Sequence, residues 1–392
     1  MANWRHTLTK MASRIEARID QAVFRFKLRR GRIGPLFIQP YRGHGTPSKL
    51  VLHGRVLEDK HIAGAMDTDR VWKTIRDMFQ RFNSTEIPYA HLRVRFQDQV
   101  FEARTNQEGY FHLEIEPRVP LPVDKVWHEV ELTLVAPKTR PEPVHAPGHV
   151  LVPPPQATFG VISDIDDTIV QTGAQDPLTM ARIVVLNNPH TRVSFEGVAA
   201  FYQALRKGAS GDGYNPIFYV SSSPWNLYDL LIDFLNLNGI PLGPLFLRDV
   251  GLDADRWIKT GHLEHKLTQI RTILETHVSL PFVLIGDSGQ EDPEIYTEVV
   301  RAFPGRIKAI YIRDVTLEER DRSIRTLIDE LRGSKVDLVL ARDTIAAAEH
   351  AHQHGLIAAD ALPTIRAKKT EDQHDPTVVE QLSGIGSAKT DA

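Results

Sequence analysis

From residue 48 to 136 apolar and polar positions alternate in short runs, the period of half-buried strands. Leu50, Leu52, Gly54 and Val56 mark one strand. His91 to Phe96 and Val100 to Arg104 mark two more around a Gln97-Asp98-Gln99 turn. Thr105 to Ile115 reads as a polar turn entering a strand, and Glu129 to Val135 as a last one. One helix interrupts them, with Val71, Trp72, Ile75, Met78, Phe79 and Phe82 on its apolar face. The pattern predicts a small β-sandwich domain over 45–136, similar to prealbumin or immunoglobulin modules, with its aromatics in the core.

Beyond residue 158 the pattern changes. Phe159 to Ser163, Ile217 to Ser221, Leu245 to Leu247, Phe282 to Ile285, Ile307 to Ile312 and Val336 to Leu340 are continuous apolar runs separated by helical stretches. Such runs alternating with helices predict an α/β domain over 158–358, a Rossmann-like parallel sheet covered on both faces. Between the two regions, seven prolines from Pro137 to Pro155 predict a stiff linker over 137–157 that cannot join a central sheet. Residues 364–392 are polar with little periodicity and read as a disordered tail.

Charge sharpens this division. The 392 residues carry a formal net charge of -3, which excludes a uniformly basic nucleic-acid protein. Residues 1–33 hold nine Lys or Arg against Glu16 and Asp20, a local +7, so the remainder carries -10. Ile15, Ile19, Val23 and Phe24 recur at helical spacing within this arm. A basic amphipathic arm fits an anionic membrane surface; a solvated arm, or a helix packed on its own domain, is the plainer reading. No apolar run is long enough to span a membrane, the start lacks the apolar core of a secretory signal, and a cytoplasmic protein, peripheral at most, is expected. With no Cys, thiolate metal sites, disulfides and a cysteine nucleophile are excluded.

In a parallel sheet the chemistry sits at the carboxyl ends of the strands. The first run ends in Asp164-Ile165-Asp166-Asp167-Thr168, three crowded carboxylates that need a compensating cation. A helix cap explains one of them, not three. Oxygen ligands favour a hard ion such as Mg²⁺. The second run ends in Ser221-Ser222-Ser223-Pro224, a strand feeding directly into a helix N-terminus, where free amides and hydroxyls suit a phosphoryl group. Lys266, in the first turn of another helix, opposes the dipole and needs a nearby anion. The fourth run ends in Gly286-Asp287 with Asp292 following, again the composition of a metal site.

Together these residues resemble the haloacid dehalogenase superfamily. Asp164-x-Asp166-x-Thr168 matches its first motif, Ser221 the second, Lys266 the third, and Gly286-Asp287 with Asp292 the acidic fourth. More narrowly, "SDIDDTI", "YVSSSPWNLY" and "IGDSGQEDPEIY" resemble the catalytic domain of the actin-patch phosphatidate phosphatases. The resemblance implies a Mg²⁺-dependent phosphatase that hydrolyses a phosphomonoester, phosphatidate to diacylglycerol in the first instance. A soluble phosphoester or phosphoprotein is the second reading. A binding protein acting through the sandwich is the third. It implies that Asp164 is the nucleophile and Asp166 the general acid and base. Thr168, Ser221, Ser222 and Lys266 would bind phosphate, and Asp164, Asp166 (through its carbonyl), Asp287 and Asp292 would hold the metal. A small cap would fall within Asp176 to Thr191. Arg313 stands as a substrate contact or a structural ion pair, and His350-x-His352-x-His354 reads as a solvated helix end rather than a metal site.

Overall fold

The computed structural model describes residues 33–59, 85–122, 124–169, 195–248, 262–315 and 318–374. The basic arm (all but Ile33), the helix from Val71 to Phe82 and the cap segment Asp176 to Thr191 lie outside these residues. The described residues divide into two compact units, the first ending at Val150 and the second running from Leu151 and including Pro122–Val126.

The described residues of the first unit form eight strands: β1 (Leu36–Pro40), β2 (Gly43–Thr46), β3 (Lys49–Glu58), β4 (His91–Phe96), β5 (Gln99–Arg104), β6 (Tyr110–Ile115), β7 (Trp127–Ala136) and β8 (Val144–Leu151). Their order is β1-β3-β2-β8-β7-β4-β5, with β6 on β3. The pairings of β3 with β1, β2 and β6, and of β4 with β5 and β7, are antiparallel. Alternation is visible along β4, where Leu92, Val94 and Phe96 face in and Arg93 and Arg95 face out. Phe96 pairs with Gln99, leaving a two-residue turn in which Gln97 takes a φ of 54°.

Two expectations need correction here. Strand β1 and the first half of β2 precede residue 45, where the sandwich was expected to begin. More substantially, β8 occupies the middle of the expected proline linker and lies between β2 and β7. The proline count hid an alternation: Val144, Gly148 and Val150 are buried while Pro147 faces outward. Proline there removes one ladder donor without placing its ring in the core. Gly148 fits because a Cβ would come within 2.9 Å of Leu52.

In the second unit all six expected runs are strands: β9 (Gly160–Ser163), β10 (Ile217–Pro224), β11 (Leu245–Arg248), β12 (Phe282–Asp287), β13 (Ile307–Arg313) and β14 (Asp337–Ala341). They pair in parallel in the order β11-β10-β9-β12-β13-β14. The described helices are α1 (Val198–Lys207), α2 (Tyr228–Leu237), α3 (His262–Thr276), α4 (Asp292–Ala302), α5 (Glu318–Leu331), α6 (Thr344–Gln353) and α7 (Ala361–His374). Val161, Ile162, Phe218, Leu284 and Ile310 are wholly buried, as strands covered on both faces require. Connections from β9 run to β10 on one side, and β12 lies on the other, so the order reverses at β9. That reversal opens a crevice at the carboxyl ends of β9 and β12.

Helix α7 corrects the expected tail from residue 364. Its sequence has little amphipathic pattern, yet Ile365 is wholly buried and its polar side chains hold it down. Asp372 Oδ2 accepts the Gly197 N–H at 2.8 Å, beside the start of α1, and Lys369 Nζ reaches Asp343 Oδ2 at 2.5 Å. Polar anchoring of this kind leaves no hydrophobic periodicity to read.

Candidate active site

Strand β9 delivers Asp164 to the crevice. Its N–H donates to the Ile285 carbonyl at 2.9 Å, extending the ladder to β12 by one residue and fixing the carboxylate beside Asp287. Asp164 is 1% exposed, and Asp287 and Asp292 are 0% exposed. One carboxylate oxygen from each lies within 4.8 Å of the others. Three buried carboxylates at this spacing repel strongly and lack hydration. Lys266 supplies one compensating charge, its Nζ lying 2.8 Å from Asp164 Oδ1 and 2.7 Å from Asp292 Oδ1.

The protonation equilibria follow this geometry. Burial pushes the Asp164 carboxyl well up; Lys266 opposes that shift, while Asp292, Asp166 and Asp287 add to it. Burial, then Asp292, pushes Asp287 up to about 7. Burial alone would lower Lys266, but Asp164 and Asp292 together hold its ammonium above the ordinary lysine range.

The loop after β12 shapes the acidic group. Asp287 Oδ1 accepts from the Gly289 N–H at 2.7 Å and the Gln290 N–H at 3.0 Å, whereas its Oδ2 is buried with no hydrogen-bond partner. Asp292 opens α4, where the helix dipole favours a carboxylate, and its Oδ2 accepts the Asp287 N–H at 3.2 Å. Gly286 is required by contact, because a Cβ would stand 2.4 Å from Asp292 Oδ2. Oxygen-only donors, a bare buried carboxylate oxygen and a single ammonium against three carboxylates make the group able to hold a metal ion.

Asp166 sits apart from that group. The Ser221 hydroxyl donates to Asp166 Oδ2 at 2.8 Å, and the Ser223 hydroxyl lies 3.4 Å from both oxygens. Burial pushes its carboxyl up, against the hydrogen bond from Ser221. The intervening Asp167 has a φ of 54°, which turns the chain between Asp166 and Thr168. Thr168 Oγ1 donates to Asp164 Oδ2 at 3.4 Å. Ser222 Oγ is buried and has no hydrogen-bond partner.

Two local expectations are corrected. Strand β10 runs through Pro224, and a 3₁₀ turn, Trp225–Leu227, separates it from α2, so Ser223-Pro224 does not feed directly into an α-helix. Lys266 is the fifth residue of α3 rather than a first-turn residue. Its ion pairs, not the dipole, account for its charge.

Arg313 is held by structure. Its guanidinium lies 3.8 Å from the Phe195 ring centroid and donates to Thr344 Oγ1 at 3.2 Å. Sequence reasoning missed Arg320, on α5, which binds Glu294 through both oxygens at 2.6 and 2.7 Å and donates to the carbonyls of Ser288 and Gln290. It clamps the loop that carries Asp287. No spacing rule links an arginine some 30 residues away to that loop. Ser223 was within the quoted motif, but its bond to Asp166 depends on how β9 and β10 pair.

Residues 159–314 match the family model "Phosphatidate phosphatase APP1, catalytic domain". Phosphatidate phosphatase APP1 of Saccharomyces cerevisiae is 39% identical over 156 residues, 40% of this chain and 26% of that protein. An uncharacterized protein of Schizosaccharomyces pombe is 28% identical over 220 residues, 55% of this chain and 34% of that one. The chain thus spans about a quarter to a third of the length of these curated relatives.

Proposed function

We infer that residues 159–314, a catalytic domain of the APP1 phosphatidate phosphatase family, make this chain a Mg²⁺-dependent phosphomonoesterase whose substrate is phosphatidate. The observation that carries the reading is the buried Asp164, paired with Lys266 and set beside Asp287 and Asp292 at the reversal point of the sheet.

Asp164 attacks phosphorus in line, forming an aspartyl-phosphate as the phosphorus–oxygen bond to the leaving alkoxide breaks. Asp166, whose raised carboxyl retains a proton more readily than an exposed aspartate, gives that proton to the leaving oxygen. Now a carboxylate, it takes a proton from the water that releases phosphate and regenerates Asp164. The Ser221 and Ser223 hydroxyls hold Asp166 in position for both transfers. Lys266, Thr168, Ser221 and Ser222 contact the phosphoryl oxygens in this reading, Lys266 offsetting the charge spread over them in the transition state. Asp164, Asp287, Asp292 and the Asp166 carbonyl would hold Mg²⁺, which when bound supplies charge neutralisation between nucleophile and phosphate. The basic arm, residues 1–33, would add attraction to an anionic bilayer.

Phosphate release from phosphatidate in mixed micelles, set against soluble phosphomonoesters, tests the substrate. Expected is Mg²⁺-dependent turnover that favours phosphatidate and, at low salt, weakens when residues 1–33 are removed. Rapid turnover of soluble esters with none on phosphatidate would transfer the reading to a soluble substrate. No turnover of any ester would leave the first unit as the seat of function.

A further inference from the structure

A second group of ligating side chains lies in the parallel-sheet unit and shares no residue with the aspartates above. Asp337 is the first residue of β14, His350 lies in the last turn of α6, and His354 is the C-cap of that helix. His350 Nε2 stands 3.5 Å and His354 Nε2 3.3 Å from the same carboxylate oxygen, Asp337 Oδ2. The two rings, four residues apart on one helix face, stack with centroids 3.9 Å apart.

The remaining ring nitrogens are engaged. His350 Nδ1 is 3.1 Å from the Tyr311 hydroxyl, and His354 Nδ1 is 3.0 Å from the His350 carbonyl oxygen. A carbonyl only accepts, so His354 carries a proton on Nδ1. When that ring is neutral, its Nε2 lone pair faces a carboxylate, and two acceptors 3.3 Å apart repel unless a cation stands between them. Around a tetrahedral ion with bonds of about 2.0–2.1 Å, neighbouring ligand atoms stand roughly 3.3–3.4 Å apart. Both histidine-to-carboxylate separations are close to that value, and the three ligand atoms all lie within 4.8 Å of one another. Hydrogen bonds donated by the outer ring N–H, here from His350 Nδ1 to the Tyr311 hydroxyl and from His354 Nδ1 to the carbonyl, are what orient imidazoles toward a metal.

We propose that Asp337, His350 and His354 form a binding site for a divalent transition ion of the zinc type, which ties the start of β14 to the end of α6. Two imidazoles and one carboxylate select such an ion over Mg²⁺, so the chain has separate sites for a soft-tolerant and a hard cation. His354 is 49% and Asp337 57% exposed, so the ion is reachable from solvent and a water completes its shell.

The test uses the full chain with excess Mg²⁺ at a pH of about 8, above the ordinary histidine range, where an imidazolium ion pair is no longer the default. Zn²⁺ binding is followed by calorimetry, and Co²⁺ binding by its visible absorption. Expected are one strong Zn²⁺ site and the intense bands of four-coordinate Co²⁺. His350→Ala and His354→Ala should each weaken Zn²⁺ by at least about 10-fold, and Tyr311→Phe by about 10-fold through loss of an outer partner. Zn²⁺ should raise the thermal midpoint of the wild type and not that of His354→Ala, whose half-exposed side chain can be removed without disturbing the core. Absence of Zn²⁺ binding under these conditions would overturn the proposal, leaving a histidine–carboxylate ion pair. Unchanged binding when His350→Ala and His354→Ala are combined would also overturn it, placing the ion on others of the 17 histidines, such as the His53–His112 pair.

Discussion

The two units treat charge differently. In the antiparallel unit, Arg95 and Glu131 pair across β4 and β7 with side chains 61% and 42% exposed, and buried Arg55 meets a Glu86 that is 45% exposed. In the parallel unit, Lys266, Asp164 and Asp292 pair at 3% exposure or less. An exposed pair gains little and loses little, whereas buried charges carry a desolvation cost that a hydrophobic core would not. A sheet that retains such a cost at its carboxyl edge does so where the charges are used. The antiparallel sheet buries His44, Arg55, Gln99 and His128 singly among apolar side chains, with no such group of buried carboxylates among the described residues, and is read as a scaffold by the same criterion.

The largest effect is expected from Asp164→Asn. It should lower turnover by at least roughly 10³-fold while the chain stays folded by circular dichroism, since it removes the proposed nucleophile and also relieves repulsion within the aspartate group. Near-normal turnover would remove the contrast between the units. Next comes Lys266→Met, which leaves Asp164, Asp287 and Asp292 without their ammonium. Denaturant unfolding should show a loss of about 3–5 kcal/mol in metal-free buffer, partly restored by divalent ions. Arg95→Ala in the antiparallel unit should cost no more than about 1 kcal/mol in the same measurement.

An intermediate effect concerns pH. Burial, with Arg306 adding, lowers His277 from 6.5 to about 4. Because the folded value lies below the unfolded one, its contribution is complete above about 6.5 and is lost as pH falls toward about 4. The expected loss is on the order of 3 kcal/mol in unfolding experiments across that window. His277→Phe should flatten this dependence while keeping the ring packing against Phe218. Gly148→Ala, in β8, probes the antiparallel sheet: the atoms nearest its Cβ belong to the side chains of Leu52 and Leu132, so a loss of about 1–3 kcal/mol of stability and no catalytic change are expected.

How far the sequence foretold this contrast depends on what each element is buried against. The six parallel strands are legible because burial on both faces demands continuous apolar runs, and the acidic residues are legible because they interrupt those runs at the ends that face the crevice. Asp164, Lys266, Asp287 and Asp292 converge as their motifs imply. Strand β8 is not legible, because seven prolines outweigh an alternation of only Val144, Gly148 and Val150. Helix α7 escapes for the opposite reason: Asp372 and Lys369 anchor it through polar contacts that leave no period. The His350–His354 spacing is visible as a pair on one helix face, but Asp337 joins it only through the packing of α6 against β14.

A nucleophilic Asp164 becomes covalently phosphorylated during turnover. Rapid acid quenching with a ³²P-labelled phosphomonoester, followed by peptide mapping, tests it most directly. Expected is a base-labile label on the peptide containing Asp164 in the wild type and none in Asp164→Asn. Turnover without that label, or label carried by another residue, would contradict it.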